Sequence, residues 1–266
     1  LTFVLRLPGP MGYTAHDSLK HEYASFVERE IEEYKDRVPR TALLNIANEA
    51  VQHLHAQEQV TLSELLLCNE VDRIISARLR LPVYKTWVRR RRKELEALRR
   101  PERWGLTANA AIVRNVPTSG QAHVLVAQPS HELAALFLAA NGCTVTAFEP
   151  QADIVARVLK EADASGLSGR VEMLNTGLNA LAPTGPLAAV VYTQAAFAGL
   201  TSAERARVLS ILQLATTDGG VHLVETLVAG CAQLGIDELR ASYAGWEVSI
   251  EGDASRPERT FVARKS

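Results

Sequence analysis

The sequence predicts an α/β fold built on a mostly parallel sheet and preceded by an all-α domain. Three observations carry that prediction. From about residue 123, short β-rich segments alternate with helical ones, a pattern that calls for a parallel sheet covered on both faces. The last two β-rich segments stand close together and read as a closing hairpin. Between Ser18 and Arg100 the apolar residues recur at helical spacing instead.

Each helix of the first region has its own signals. Residues 18–36 place Leu19, Tyr23, Phe26, Val27, Ile31 and Tyr34 on one face and acidic residues on the other, and Pro39 stops the helix. Thr41 suits the N-cap of a second helix carrying Leu43, Leu44, Ile46, Ala47, Ala50, Val51 and Leu54. A third starts near Thr61 or Ser63 and runs through Leu65, Leu66, Val71, Ile74 and Ile75 to Leu79, before Pro82. The fourth covers Tyr84 to about Arg100. Pro101–Gly120, with two prolines and two glycines, reads as an inter-domain connection.

The α/β region reads as strands over 123–128, 144–149, 171–175, 187–192, 221–227, 246–250 and 259–264. Its helices fall at 130–140, up to Ala164 (with Gly166 just past the end), 202–215 and 231–243. Asp218-Gly219-Gly220 is a turn signal, and a Gly/Asp/Ser/Pro link joins the last two strands. The expected division is a leader or short strand over 1–17, a helical domain over 18–105, a linker over 106–122 and an α/β domain over 123–266. Leu1–Pro10 lacks the basic start, long apolar middle and cleavage site of a secretory signal. A short native strand and a leader ahead of a natural start at Met11 both agree with it.

Composition excludes several classes. The 47 % apolar and 22 % charged residues are those of a globular chain, not a disordered one. A net charge of −1 gives no whole-protein field toward nucleic acid. Cys68, Cys143 and Cys231 are far apart and odd in number, which argues against a disulfide framework or zinc site and fits the cytoplasm. No apolar run approaches the roughly 18–20 residues of a membrane span.

Five βα units ending in a hairpin resemble the class I S-adenosylmethionine-dependent methyltransferases, over roughly residues 123–264. AFEP (147–150) resembles the end of that family's second strand, and DGGVHLVET (218–226) the turn and strand after its fourth helix. The resemblance implies a Rossmann-like domain with a seven-stranded sheet, S-adenosylmethionine as cofactor and, for an enzyme, methyl transfer. It also implies a role for Glu149 on the ribose hydroxyls. Physically, a carboxylate there lies outside the carboxyl end of a strand, where ligands of open α/β sheets bind, and accepts two hydrogen bonds from a diol. A cap for the helix after Pro150 is the competing role.

The first loop departs from the family. Where relatives carry an acidic residue and a Gly-x-Gly-x-Gly run, this chain reads VLVAQPSHELA, with Val126 at the acidic position and Gln128, Ser130 and Glu132 at the glycines. Glycine serves there because a Cβ would intrude on a ligand lying against the backbone. Pro129 stiffens the loop, and Ser130 reads as an N-cap with His131 and Glu132 in the first turn. Gly177 stands where relatives often have an acidic residue near the adenine. Tyr192-Thr193-Gln194 offers hydroxyls and an amide near the expected reaction site, but no catalytic acid or base is nameable. Two functions follow. The domain binds the cofactor or a related nucleotide through an altered loop, using Gln128, Ser130, His131, Glu149, Thr193 and Gln194. Or it is a non-catalytic relative, a pseudoenzyme kept as scaffold or sensor.

His53 and His55 lie two apart on a helix and make a poor metal pair, and His123 and His222 read as packing residues; no metal site is expected. Charge is uneven. Arg73–Arg103 holds 12 Lys/Arg against 3 Glu, and Asp17–Asp72 holds 5 against 12. DRIISARLRLPVYKTWVRRRRK (72–93) resembles a bacterial helix-turn-helix, with Leu79–Pro82 as a turn lacking the usual glycine. That resemblance implies DNA or RNA contact through residues 73–103, with Lys85, Trp87, Arg89, Arg90 and Arg92 as contacts. A solvated face, or ion pairing with the acidic helices, is the plainer reading of such a run. In the DNA-binding or regulatory alternative, the Rossmann domain mediates homodimerisation or senses a ligand.

Overall fold

The computed structural model describes residues 15–55, 64–118, 122–181, 185–227, 234–252 and 259–266. The Leu1–Pro10 segment, the start of the third helix near Thr61 or Ser63, Cys231 and most of the hairpin link lie outside them. The chain divides into two compact units, residues 1–94 and 95–266.

The first unit is helical, as its periodicity requires. It comprises α1 (Ala15–Arg37), α2 (Arg40–His55), α3 (Glu64–Leu79) and the larger part of α4 (Tyr84–Leu98). Ile31, Ile46, Ala50, Ile74 and Ile75 form its core. Leu44 and Leu65, expected on buried faces, are 55 % and 70 % exposed. α2 starts one residue before Thr41, because the carbonyl of Pro39 already accepts the N–H groups of Ala42 (2.9 Å) and Leu43 (3.3 Å). Thr41 is therefore inside the first turn and is not its cap. The α3–α4 turn forms without glycine. Arg80 takes φ +53°, Leu81 N–H donates to Ser76 O and Arg80 N–H to Ala77 O, the paired bonds of a Schellman close. A non-glycine residue there costs about 1 kcal/mol.

The second unit carries β1 (His123–Ala127), β2 (Thr144–Phe148), β3 (Val171–Leu174), β4 (Leu187–Thr193), β5 (Thr216–Leu227), β6 (Glu247–Glu251) and β7 (Arg259–Arg264). Their order is β3-β2-β1-β4-β5-β7-β6, and β7 alone runs against the rest. One face is covered by α5 (Ala111–Asn115), α6 (Ala134–Ala140) and α7 (Ala152–Ala164), through Ile112, Leu136, Leu138 and Val158. The other is covered by α8 (Ser202–Ala215) and α9 (Ile236–Ser242), through Val208, Leu212 and Leu239. Asp218-Gly219-Gly220 does not end an element. It lies inside β5, with Gly219 at φ +74° beside a register shift opposite Leu187/Ala189.

The stretch expected as a linker is packed. Leu106, Ile112 and Val116 are at most 4 % exposed and join the α5 side of the core. Its few large apolar residues concealed this, being too widely spaced to mark a core.

A chain of hydrogen bonds runs through the opposite side of the core. Tyr192 and Tyr243 hydroxyls meet at 2.9 Å, Tyr243 meets His222 Nδ1 at 2.5 Å, and His222 Nε2 meets Thr216 Oγ1 at 2.7 Å. Thr216 donates onward to the Leu212 carbonyl at 2.6 Å. The directions close in one way: Thr216 accepts from Nε2–H, so the neutral ring accepts at Nδ1 from Tyr243, which accepts from Tyr192. Burial depresses the His222 pKa to about 3, and the nearby Lys265 charge adds to the effect.

Candidate functional site

The ligand end of a parallel sheet is the rim beyond its strands' carboxyl ends. At the end of β1, Gln128 takes φ +44°, a left-handed conformation that glycine usually supplies. Its N–H donates to Phe148 O at 3.1 Å and its carbonyl accepts the Thr193 hydroxyl at 2.7 Å. The turn is thus held by the strands on both sides. Ser130 does not cap the following helix. Its N–H (3.0 Å) and hydroxyl (2.8 Å) both donate to Glu225 Oε2 at the end of β5, and α6 begins only at Ala134 without a side-chain cap. The helix starts too far downstream for Ser130 to cap it, and its donors serve a partner 95 positions away. Glu132 faces outward and pairs with Arg157 at 2.9 Å, while His131 is exposed.

At the end of β2, Glu149 is 5 % exposed. One carboxylate oxygen accepts the Gln151 N–H at 3.0 Å, just ahead of α7; the other has no hydrogen-bond partner among the described residues. Glu149 therefore anchors the turn ahead of α7, which has no side-chain cap, and keeps an open acceptor as well. Asn175 donates to the Glu149 and Pro150 carbonyls, both at 3.0 Å, and fixes that corner. Thr193 and Gln194 are buried and engaged within the protein, Thr193 on Gln128 O and Gln194 Nε2 on Leu234 O at 3.1 Å. They brace the loops, and neither presents an acid or a base.

A seven-stranded sheet whose order runs 3-2-1-4-5-7-6, with only strand seven reversed, settles the architecture. This is the class I methyltransferase fold. No family model and no curated protein matches the sequence. Among solved structures, TehB from Haemophilus influenzae superposes with a TM-score of 0.50 at 17 % identity over 62 % of this chain. The alignment spans 65 % of TehB's own length. The N-methyltransferase NodS from Bradyrhizobium japonicum WM9 gives 0.47 at 10 % identity, covering 58 % of this chain and 92 % of that one. Magnesium protoporphyrin IX methyltransferase from Synechocystis PCC 6803 gives 0.45 at 12 %, covering 58 % and 74 %. At such identities the likeness concerns the fold.

Tested against the cofactor of this methyltransferase fold, the residues fit in one part and not in another. Glu149 keeps an acceptor for a ribose diol. The glycine cradle is replaced by side chains, and the Ser130 N–H that would face a ligand is engaged by a carboxylate.

Sequence reasoning passed over Glu225 although it stands, like Glu149, at the carboxyl end of a strand. It lines an open cleft of about 950 Å³ with Ser130, His131, Arg114, Glu251, Arg259 and the Thr107–Ala111 segment. Glu251 pairs with Thr260, while the β5–β7 register shifts between Val224 and Leu227; Glu225, Thr260 and Glu251 meet as lining of this one cleft. Strand position was the available signal; the shared cleft needs the fold.

The basic helix separates into two sets. Arg91 pairs with Glu22 at 2.6 Å, Arg73 with Glu70 at 2.6 Å, and Arg78 with Glu49. Arg73, with help from His53, holds the Glu70 carboxyl at about 2. Lys85, Arg89, Arg90, Arg92 and Lys93 are exposed and form no ion pair among the described residues. Positions 85, 89, 92 and 93 share one face of α4. Trp87, expected to contact nucleic acid, is instead 8 % exposed, with ring centroids 5.5 Å from Tyr23 and 6.0 Å from Phe26. The helical period that gathers the basic residues turns Trp87 into the core. Among the described residues, no group of three or more His, Cys, Asp or Glu is placed to hold a metal, and no helix is long and apolar enough to cross a membrane.

Proposed function

We propose that this protein is a degenerate S-adenosylmethionine-dependent methyltransferase-like protein. In this reading it keeps the nucleoside half of the cofactor site and binds adenosyl ligands weakly, with little or no methyl transfer. The observation that carries the reading is Glu149, buried at the end of β2 with one carboxylate oxygen anchored and the other open. The degenerate half rests on the Ser130–Glu225 bonds and on the internal engagement of Thr193 and Gln194. Calorimetric titration with S-adenosylmethionine, S-adenosylhomocysteine and adenosine tests it. The three ligands are expected to bind at similar, weak affinity. Glu149→Ala is expected to lower that affinity about tenfold or more, since hydrogen bonds to a charged acceptor contribute roughly 1.5–3 kcal/mol each. Absence of binding up to millimolar ligand removes the reading.

A second role, for the helical unit, is favoured by the exposed basic residues of α4 that form no ion pair among the described residues. We infer that Lys85, Arg89, Arg90 and Arg92 contact nucleic-acid phosphates. Affinity for mixed duplex DNA is then expected to fall steeply with salt. Replacing Arg89, Arg90 and Arg92 by alanine is expected to flatten the logarithmic salt slope by about one per lost phosphate contact. Salt-insensitive or absent binding counts against it.

A further inference from the structure

We propose that the cleft at the carboxyl ends of β1, β5 and β6 and the amino end of β7 binds a small molecule carrying a single protonated amine, with Glu225 as its counter-ion. The two carboxylates that line it are treated differently by the protein. Glu251 is neutralised by Arg114 at 2.6 Å and receives Asn115 Nδ2 at 3.3 Å. Glu225 is 6 % exposed and has no cationic partner among the described residues. Its Oε2 takes both Ser130 donors, and its Oε1 has no hydrogen-bond partner there.

A carboxylate removed from bulk water keeps its charge at a cost unless a cation or several donors compensate it. Here the compensation is half made, and Glu225 lines an open space of about 950 Å³. A ligand ammonium supplies both the positive charge and the donor that Oε1 lacks. The rest of the lining narrows the class. Arg114 is spent on Glu251, but Arg259 borders the same space with no ion-pair partner among the described residues, so a second positive charge on the ligand is repelled and a polyamine is disfavoured. Ala108, Ala110 and Ala111 give it an apolar wall for a short carbon frame.

This site rests on Glu225 and the cleft it lines and not on Glu149, so it stands or falls apart from adenosyl binding. The test is calorimetric titration of the full chain with 2-phenylethylamine, ethanolamine and 4-aminobutyrate. Controls are 2-phenylethanol, ethylene glycol and 4-hydroxybutyrate, in which a hydroxyl replaces the amine, and putrescine as a dication. At least one amine is expected to bind tenfold or more tightly than its alcohol counterpart and more tightly than putrescine. Glu225→Gln is expected to remove that preference. The amide oxygen still accepts from Ser130 in that variant, so an unchanged unfolding midpoint shows that the fold persists. Should the midpoint fall, Glu225→Asp, which keeps the charge and shortens its reach, is expected to retain the amine preference in weakened form. Equal binding of amines and alcohols, no binding by any amine, or a preference that survives Glu225→Gln overturns the proposal.

Discussion

Lowering the pH from 7 to about 4.5 is expected to destabilise the α/β unit by roughly 3 kcal/mol, through His222. The ring is held neutral down to about pH 3 by burial, whereas the unfolded chain takes up a proton near 6.5. The unfolded state therefore binds more protons between those values. Stability from this residue is complete above pH 6.5 and falls as the pH drops toward 3, by about 5 kcal/mol over the whole window. That is a large share of the roughly 5–15 kcal/mol typical of a domain. His123, whose pKa burial also lowers, acts in the same direction. Asp153 and Glu204, held low by Arg157 and by Thr201, add their dependence at more acid pH. Peptide-resolved hydrogen exchange at pH 7 and 4.5 reads the two units separately. His222→Gln is expected to be less stable at pH 7 yet to lose less than half as much on acidification. An unchanged acid dependence in that variant would falsify the assignment to His222.

Replacing Trp87 by alanine is expected to cost the helical unit about 3–5 kcal/mol, the usual range for deleting a buried large aromatic side chain. The indole lies among Tyr23 and Phe26 of α1, and Tyr23 in turn packs edgewise on Tyr84 at 5.3 Å and donates to the Pro82 carbonyl at 3.0 Å. The aliphatic core of the unit is small, so this cluster is its main connection between α1 and α4. Urea denaturation followed by far-ultraviolet circular dichroism measures the loss. Trp87→Phe refills most of the volume and is expected to recover more than half of it. The same pair of variants separates a packing role from a contact role: Trp87→Phe is expected to leave DNA affinity unchanged, and a tenfold loss with an intact fold would restore Trp87 to the contact surface.

Much of the architecture was legible because its signals are local. The period-two and period-3.6 patterns placed the strands and helices, and all seven strands lie within a residue or two of expectation save β5, which starts earlier. What was not legible depends on partners distant in the chain. Ser130 has every local property of an N-cap, but Glu225 takes both of its donors. Trp87 sits in a basic run that suggests exposure, yet it stands two positions, about 200° of helical rotation, from both Lys85 and Arg89 and so faces the other side. Leu106, Ile112 and Val116 are too few and too scattered to mark a core, and only the fold shows that they enter one. Glu149 was legible at a strand end; Glu225, in the same kind of position, acquires its meaning from its bonds to Ser130 and the cleft it lines with Glu251.

Gln128 has one more consequence. A left-handed backbone at a non-glycine residue is sustained only when its surroundings outweigh the local strain. Here the Phe148 carbonyl and the Thr193 hydroxyl, from the strands flanking β1, set that conformation from either side. The bend is consequently a property of the scaffold and is indifferent to what stands on it. A protein engineer who put a glycine back at position 128 would find its left-handed backbone already in place, with only a side chain to remove.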